Sequence, residues 1–507
     1  MNSNLYAQMA SYFPADPSAC AIETEDGSTY SFADLERASA LLANLLVQSG
    51  LKPGDRVAVQ IEKSPEALLL YLATIRAGFV FLPLNTAYRE TELGYFLNNA
   101  EPGVVVCDPR DFAWLSRMAF LAGARHVYTL GEHQNGSLLE RAGLCSDQFE
   151  TVFSSPNDLA AILYTSGTTG KSKGAMLSHQ NLLSNALTLK AFWGWQSGDV
   201  LVHALPLFHV HGLFVASHGA LLNGSKMIFL AKFEAARVLR EFSRATVFMG
   251  VPTYYVRLLA EPGLDREACR TMRLFVSGSA PLLAETFVEF QRRSGHTILE
   301  RYGMSETVML LSNPYDGPRL AGTVGKPLPG VEVRLVDDAA APCPPGQVGH
   351  IQVRGPNVFA GYWRMPEKTR EEFTEEGFFK TGDMGRMGAP GAIDEGYLSI
   401  VGRSKDLIIT GGYNVYPKEI EGYIDALPGV GESAVIGLPH ADFGEAVSAV
   451  VVLKSGAKGD EKAIIGALKS SIANFKVPKR VFFVDELPRN TMGKVQKNIL
   501  RDRFTTS

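Results

Sequence analysis

Residues 165–174 gather three glycines, five hydroxyl side chains and two lysines, with no apolar group among the ten. Such a stretch adds nothing to a core, but it bends tightly and presents backbone N–H, hydroxyl and ammonium donors to a polyanion. Its candidate ligands are Thr165, Ser166, Gly167, Thr168, Thr169, Gly170 and Lys173. An apolar run at 159–164 precedes it in the manner of a buried strand, and Ser178 is placed to cap a helix carrying Leu182, Leu183, Ala186 and Leu187. Strand, glycine-rich loop and helix is the usual order of a phosphate-binding segment. The Walker A spacing fails, because it needs a glycine five residues before Gly170 and Thr165 stands there.

The elements that must hold this loop follow from periodicity. Helical spacing of apolar residues runs over 32–48 and stops at Gly50, a strand follows at 56–61, and Ser64 opens a helix through Ile75. Short apolar runs at 79–82 and 104–107 read as buried strands. Strands separated by helices of this length imply βαβ units and a mostly parallel sheet. Further strands end in polar turns at 248–253 and 274–280, so three loops are expected to wall one pocket. From about residue 323 to 400, shorter β-type runs broken by Pro and Gly suggest a small antiparallel subdomain. The last hundred or so residues alternate anew, with a strand at 446–453 and a helix at 462–472. The expected fold class is α/β: a large N-terminal domain, 1–404, of mixed and mostly parallel sheets with a β-rich subdomain at 323–400, then a small mobile α+β domain, 405–507.

Composition narrows the function. At 507 residues, 46% apolar and 20% charged, the chain suits a globular protein of more than one domain. A net charge of −4 gives no basis for nonspecific nucleic-acid binding. Five scattered cysteines without a CxxC pair argue against a disulfide frame or a zinc site and fit a reducing cytosol. Residues 1–10 lack a secretory pattern, and no run approaches the ~18–20 apolar residues of a membrane span. A cytoplasmic protein without membrane or nucleic-acid partners is the expectation.

Five motifs stand in one order: 165–174, Tyr302–Glu306, Thr381–Asp383, Gly402–Asp406 and Pro488–Lys494. Together they resemble the adenylate-forming superfamily of acyl-CoA synthetases, luciferases and nonribosomal-peptide adenylation domains, over nearly the whole chain. The resemblance implies a two-step reaction using ATP, Mg²⁺ and CoA: a carboxylate attacks the α-phosphate of ATP, the C-terminal domain rotates, and a thiol displaces AMP. It makes Glu306 the holder of Mg²⁺, with Thr168 beside the metal and Ser305 at a phosphate; a hard cation suits carboxylate oxygen. It places Asp383 on the ribose, Arg403 on ribose and phosphate, Tyr302 and Gly303 in the nucleotide site, and Gly278, Ser279 and Ala280 against adenine. Lys405 takes the hinge position, and Gly411, Gly412 and Tyr413 line the CoA channel. Lys494 becomes the catalytic lysine, a mobile point charge for the reacting phosphate. His209 becomes a wall and gate beside the acyl group. Without the resemblance, His209 and His211 would read as two residues on one face of a strand, with no third ligand for a metal.

The acid is read from the pocket. Arg301 adjoins Tyr302, and Arg257 opens a pocket-lining helix. A guanidinium holds a carboxylate bidentately, and a buried cation repels a fatty chain, so the acid is expected to carry a second carboxylate, bound by Arg301, Arg257 and Ser279. The wording around Leu299–Met304, Ser277–Pro281, Phe208–Leu213 and Asn490–Lys497 is similar to the malonyl-CoA synthetases of bacteria. The expected reaction joins malonate to CoA with release of AMP and pyrophosphate, with methylmalonate as a slower substrate. The alternatives are a synthetase for another short, medium-chain or aryl acid, or an enzyme that loads a carrier protein. Relatives also suggest a lysine acetyltransferase and deacylase acting on Lys494.

Overall fold

The computed structural model describes residues 2–132, 134–165, 172–410, 413–440, 443–469, 471–472, 474–490 and 493–505. Two mixed, mostly parallel sheets form the bulk of the first four hundred residues. In the nine-stranded sheet, Leu299–Met304, Leu274–Ser277, Val247–Gly250, Val200–His203, Lys226–Phe229 and Cys20–Thr24 run parallel in that order, with antiparallel strands at both edges. In the seven-stranded sheet, Leu159–Thr165, Val80–Pro83, Arg56–Gln60, Val104–Cys107 and His126–Thr129 are parallel neighbours. These strands read as continuous apolar runs because helices cover both faces.

Local chemistry sets the helices where periodicity puts them. Ser31 and Asp34 form a capping box at Phe32–Gln48, and Ser64 caps Pro65–Arg76, whose proline needs no N–H partner at the first turn. Every residue of Pro65–Arg76 is buried, so this helix is clamped from all sides.

The helix after the glycine-rich loop begins where Ser178 predicts, but a strand comes before it. Lys173–Ser178 is a strand, antiparallel to Leu159–Thr165 with Thr165 opposite Lys173. Only then does His179–Phe192 start, its first turn closed by Ser178 and Asn181. The loop therefore joins two strands, and the helix N-terminus is spent on its own capping box at the far end of the second strand. The phosphate-binding order of strand, loop and helix is corrected to strand, loop and strand.

A four-stranded antiparallel sheet, Glu332–Val336, Val348–Arg354, Phe379–Met387 and Leu398–Arg403, occupies the region expected to be β-rich. Beyond it Ile408–Thr410, Tyr413–Val415, Val430–His440, Gly444–Leu453 and Arg480–Phe483 make a separate sheet. The apolar cores follow the same division: residues up to Leu398 pack among themselves, and those from Ile408 on form their own clusters.

Candidate active site

The hairpin Leu299–Met304 and Val308–Ser312 carries Glu306 at its turn. A Cβ on Gly303 would stand 1.8 Å from the Val308 carbonyl oxygen, so only glycine fits there. Val308 has φ +54°, a left-handed conformation that a β-branched residue adopts only when its surroundings impose it. Glu306 is buried and accepts from Tyr362 Oη at 3.1 Å and Thr165 Oγ1 at 3.3 Å. Burial raises its pKa, and the cations acting on it are engaged elsewhere: Lys173 with Glu372 at 3.2 Å and Arg403 with Asp383 at 3.1 Å. A buried carboxylate whose side-chain partners among the described residues are hydroxyls suits a hard divalent cation. Among the described residues no cluster of three metal-ligating side chains exists.

Asp383 and Arg403 face each other across neighbouring strands. The Asp383 carboxylate takes Arg403 Nε on one oxygen and the Tyr302 hydroxyl on the other, while its backbone N–H donates to Thr381 Oγ1 at 3.1 Å. Two acceptor positions remain for a ligand's hydroxyls. Ser404 Oγ donates to the Gly382 carbonyl at 2.9 Å, and Lys405 lies in the short turn Ser404–Asp406 that follows.

Lys494 reaches this group from the other core. Asn490 clasps it by receiving the Lys494 N–H on Oδ1 and donating its own N–H to the Lys494 carbonyl, both at 2.9 Å. Burial, with Arg403 beside it, pulls the ammonium down to about 8. The loop touches Thr253: a Cβ on Gly493 would lie 3.5 Å from its side chain.

Arg301 points to the other side of the hairpin. It is 3% exposed, yet its Nε and Nη2 meet no hydrogen-bond partner among the described residues. Burial lowers its pKa to about 9, which marks a cation short of an anion. Gly278 lies against its guanidinium, and Ser279 holds φ +73° with its hydroxyl 3.4 Å from His211 Nδ1. Burial and then Arg301 hold His209 down to about 3, and His211 well below the usual imidazole range. Both imidazoles are thus neutral walls around one buried cation. They do not lie on a strand: His209 is in a bend and His211 begins a π-helical turn, His211–Ser217.

Arg257 is not brought to Arg301. On the helix Pro252–Ala260, Tyr255 turns inward to donate to the Val276 carbonyl, and Arg257, about 200° further round, is exposed. It instead borders a 470 Å³ cavity with Phe81, Leu205, Phe208, Tyr254 and Asn490. Lys173 also differs from its expected place, buried under Tyr362 at 4.3 Å and paired with Glu372. Ser166, Gly167, Thr168, Thr169, Gly170, Gly411 and Gly412 lie outside the described residues, as does the Tyr413 side chain; its backbone pairs with Thr410. Tyr362 and His211 join the site without having been singled out for it. Tyr362 is 56 residues from Glu306, and no local pattern links them.

A family model described as AMP-binding enzyme matches residues 9–363, and its C-terminal domain model matches 419–494. A malonate–CoA ligase of Arabidopsis thaliana is 35% identical, covering 94% of this chain and 85% of its own. A feruloyl-CoA synthase of an Amycolatopsis species is also 35% identical, covering 96% of each. The crystal structure of ATP-bound MatB from Rhodopseudomonas palustris is 56% identical, with TM-score 0.96 over 100% of this chain and 99% of that one; the apo form gives 0.86. With matching models spanning most of its length, the chain belongs to the AMP-binding enzyme family.

Proposed function

We propose that the protein is an ATP-dependent malonyl-CoA synthetase, converting malonate, ATP and CoA to malonyl-CoA, AMP and pyrophosphate. The observation that carries the acid is Arg301: a buried guanidinium with two unpartnered nitrogens, walled by neutral imidazoles, calls for a carboxylate inside the pocket. An aryl or fatty acid would leave that charge unpaired. The malonate and feruloyl relatives are each 35% identical to this chain, and Arg301 is what separates their acids.

In this reading Arg301 and Ser279 bind the distal carboxylate, which leaves the other free to meet the α-phosphate. Asp383 accepts from ribose hydroxyls and Arg403 binds ribose and phosphate. Glu306 is the residue that would hold Mg²⁺. When bound with the triphosphate, Mg²⁺ supplies positive charge that lets two anions approach. Lys494 brings a further charge to the reacting phosphate and leaves with its domain, turning about Lys405, before the thiol enters. Domains 1–404 and 405–507 are the rotating units. Arg257 keeps only a place at the rim of the neighbouring cavity.

The test is product analysis with free CoA. Malonyl-CoA and AMP formed in equal amounts are the expected products; transfer only to a carrier protein would overturn the CoA assignment. Methylmalonate should react more slowly, since one methyl is worth about 1–3 kcal/mol of discrimination. We place the protein in the cytoplasm, where its five free cysteines stay reduced. A lysine acetyltransferase and deacylase are proposed partners, because acetylation would remove the Lys494 charge. Unchanged pyrophosphate exchange by the acetylated protein would exclude that regulation.

A further inference from the structure

Lys63 is an inward-turned amine that borders the same cavity as Arg257. It stands between the strand Arg56–Gln60 and the helix Pro65–Arg76, yet its Nζ reaches into the other large sheet. There it lies 2.9 Å from His203 Nδ1, 2.7 Å from the His203 carbonyl oxygen, and 4.3 Å from the centre of the Phe229 ring. On the far side of the imidazole, His203 Nε2 is 3.0 Å from the Gly212 carbonyl oxygen and 3.0 Å from Ser217 Oγ. Ser217 Oγ donates to the same Gly212 oxygen at 3.0 Å.

Chemistry fixes the protons in this chain. A carbonyl oxygen only accepts, so Nε2 must carry a hydrogen. Burial and the adjacent lysine keep the ring neutral, which leaves Nδ1 as an acceptor. Lys63 is the donor it receives. The anchored carbonyl matters because residue 212 has no slack: a Cβ there would stand 2.0 Å from the Pro206 carbonyl oxygen. His211 immediately precedes it at the start of the π-helical turn, with Nδ1 at Ser279.

We propose that Lys63 is a positioning residue for the acid pocket. By donating to Nδ1 it holds His203 in the Nε2–H tautomer, which pins Gly212 and so keeps His209 and His211 against Arg301 and Ser279. The malonate reading enters only through the pocket that is being held.

The experiment is Lys63→Met, with KM for acid and for ATP measured separately by pyrophosphate exchange. The acid is whichever one the wild type activates fastest, so failure of malonate as substrate would appear in the wild type and leave the Lys63 comparison intact. The expected result is an acid KM raised about ten-fold with the ATP KM within about two-fold of wild type. An unchanged acid KM, or equal rises in both, would overturn the proposal. The ¹⁵N shifts of His203 in the wild-type protein give a reading that does not depend on the variant folding. Protonated Nε2 and unprotonated Nδ1 are expected, and an Nδ1–H tautomer would overturn it.

Discussion

Gly278 and Arg301 are in such close contact that a Cβ built on the glycine would stand 2.4 Å from Cζ and 2.5 Å from Nε of the guanidinium. The loop expected to lie against adenine is thus laid directly on the cation proposed to choose the acid. One residue further on, Ser279 takes its left-handed backbone and meets His211.

Gly278→Ala should therefore act on acid recognition. The added methyl must displace a fully buried guanidinium, and overpacking of this kind costs about 1–3 kcal/mol. We expect kcat/KM for malonate to fall by about ten- to a hundred-fold, measured by thioester formation. Near wild-type turnover would show that Arg301 has room to move.

Arg301→Met should separate stability from function. Among the described residues two nitrogens of the buried Arg301 have no partner, and removing such a group relieves about 1–3 kcal/mol. The variant is expected to melt higher than wild type without ligand. Malonate should raise the melting temperature of wild type and leave that of the variant unmoved. A variant that melts lower, or is still stabilised by malonate, would contradict this.

Lys494 should give the first half-reaction an alkaline limb. Its ammonium is held to about 8 beside Arg403, whereas a solvated lysine keeps its proton to about 10.4. The charge is present below pH 8 and lost above it, so kcat/KM for pyrophosphate exchange should fall by about ten-fold per unit beyond that point. In Lys494→Arg, whatever activity remains should lack this limb. Lys494→Ala should abolish exchange and largely spare thioester formation from preformed malonyl-adenylate.

Lys454 and Glu285 join the two cores at 3.0 Å, with half or more of each side chain exposed. Exposed pairs are worth little, so Lys454→Ala should change the overall rate by less than about two-fold. A large loss would mean that this contact helps to hold the two cores together.

The sequence carried the parts of this site that depend on neighbours in the chain. Ser64 and Ser178 announced two helix starts because capping is local chemistry. Arg301 was legible beside Tyr302 because alternation along a strand sends one inward against Gly278 and the other toward Asp383. What was hidden depends on distant partners or on unusual backbone. The π-helical turn at His211 has no sequence period of its own, so two histidines read as strand neighbours. The strand Lys173–Ser178, opening on Lys and Gly, was lost inside the glycine-rich loop. Arg257 looked equal to Arg301 until the rotation of its helix turned it outward.

The most direct measurement is pyrophosphate exchange with malonate and with butyrate, a monocarboxylate of similar size, in wild type and Arg301→Met. The account predicts that wild type prefers malonate by at least about ten-fold in kcat/KM, and that the preference collapses in the variant through loss of malonate activity alone. Butyrate activated faster than malonate by wild type, or a preference that survives in Arg301→Met, would contradict it.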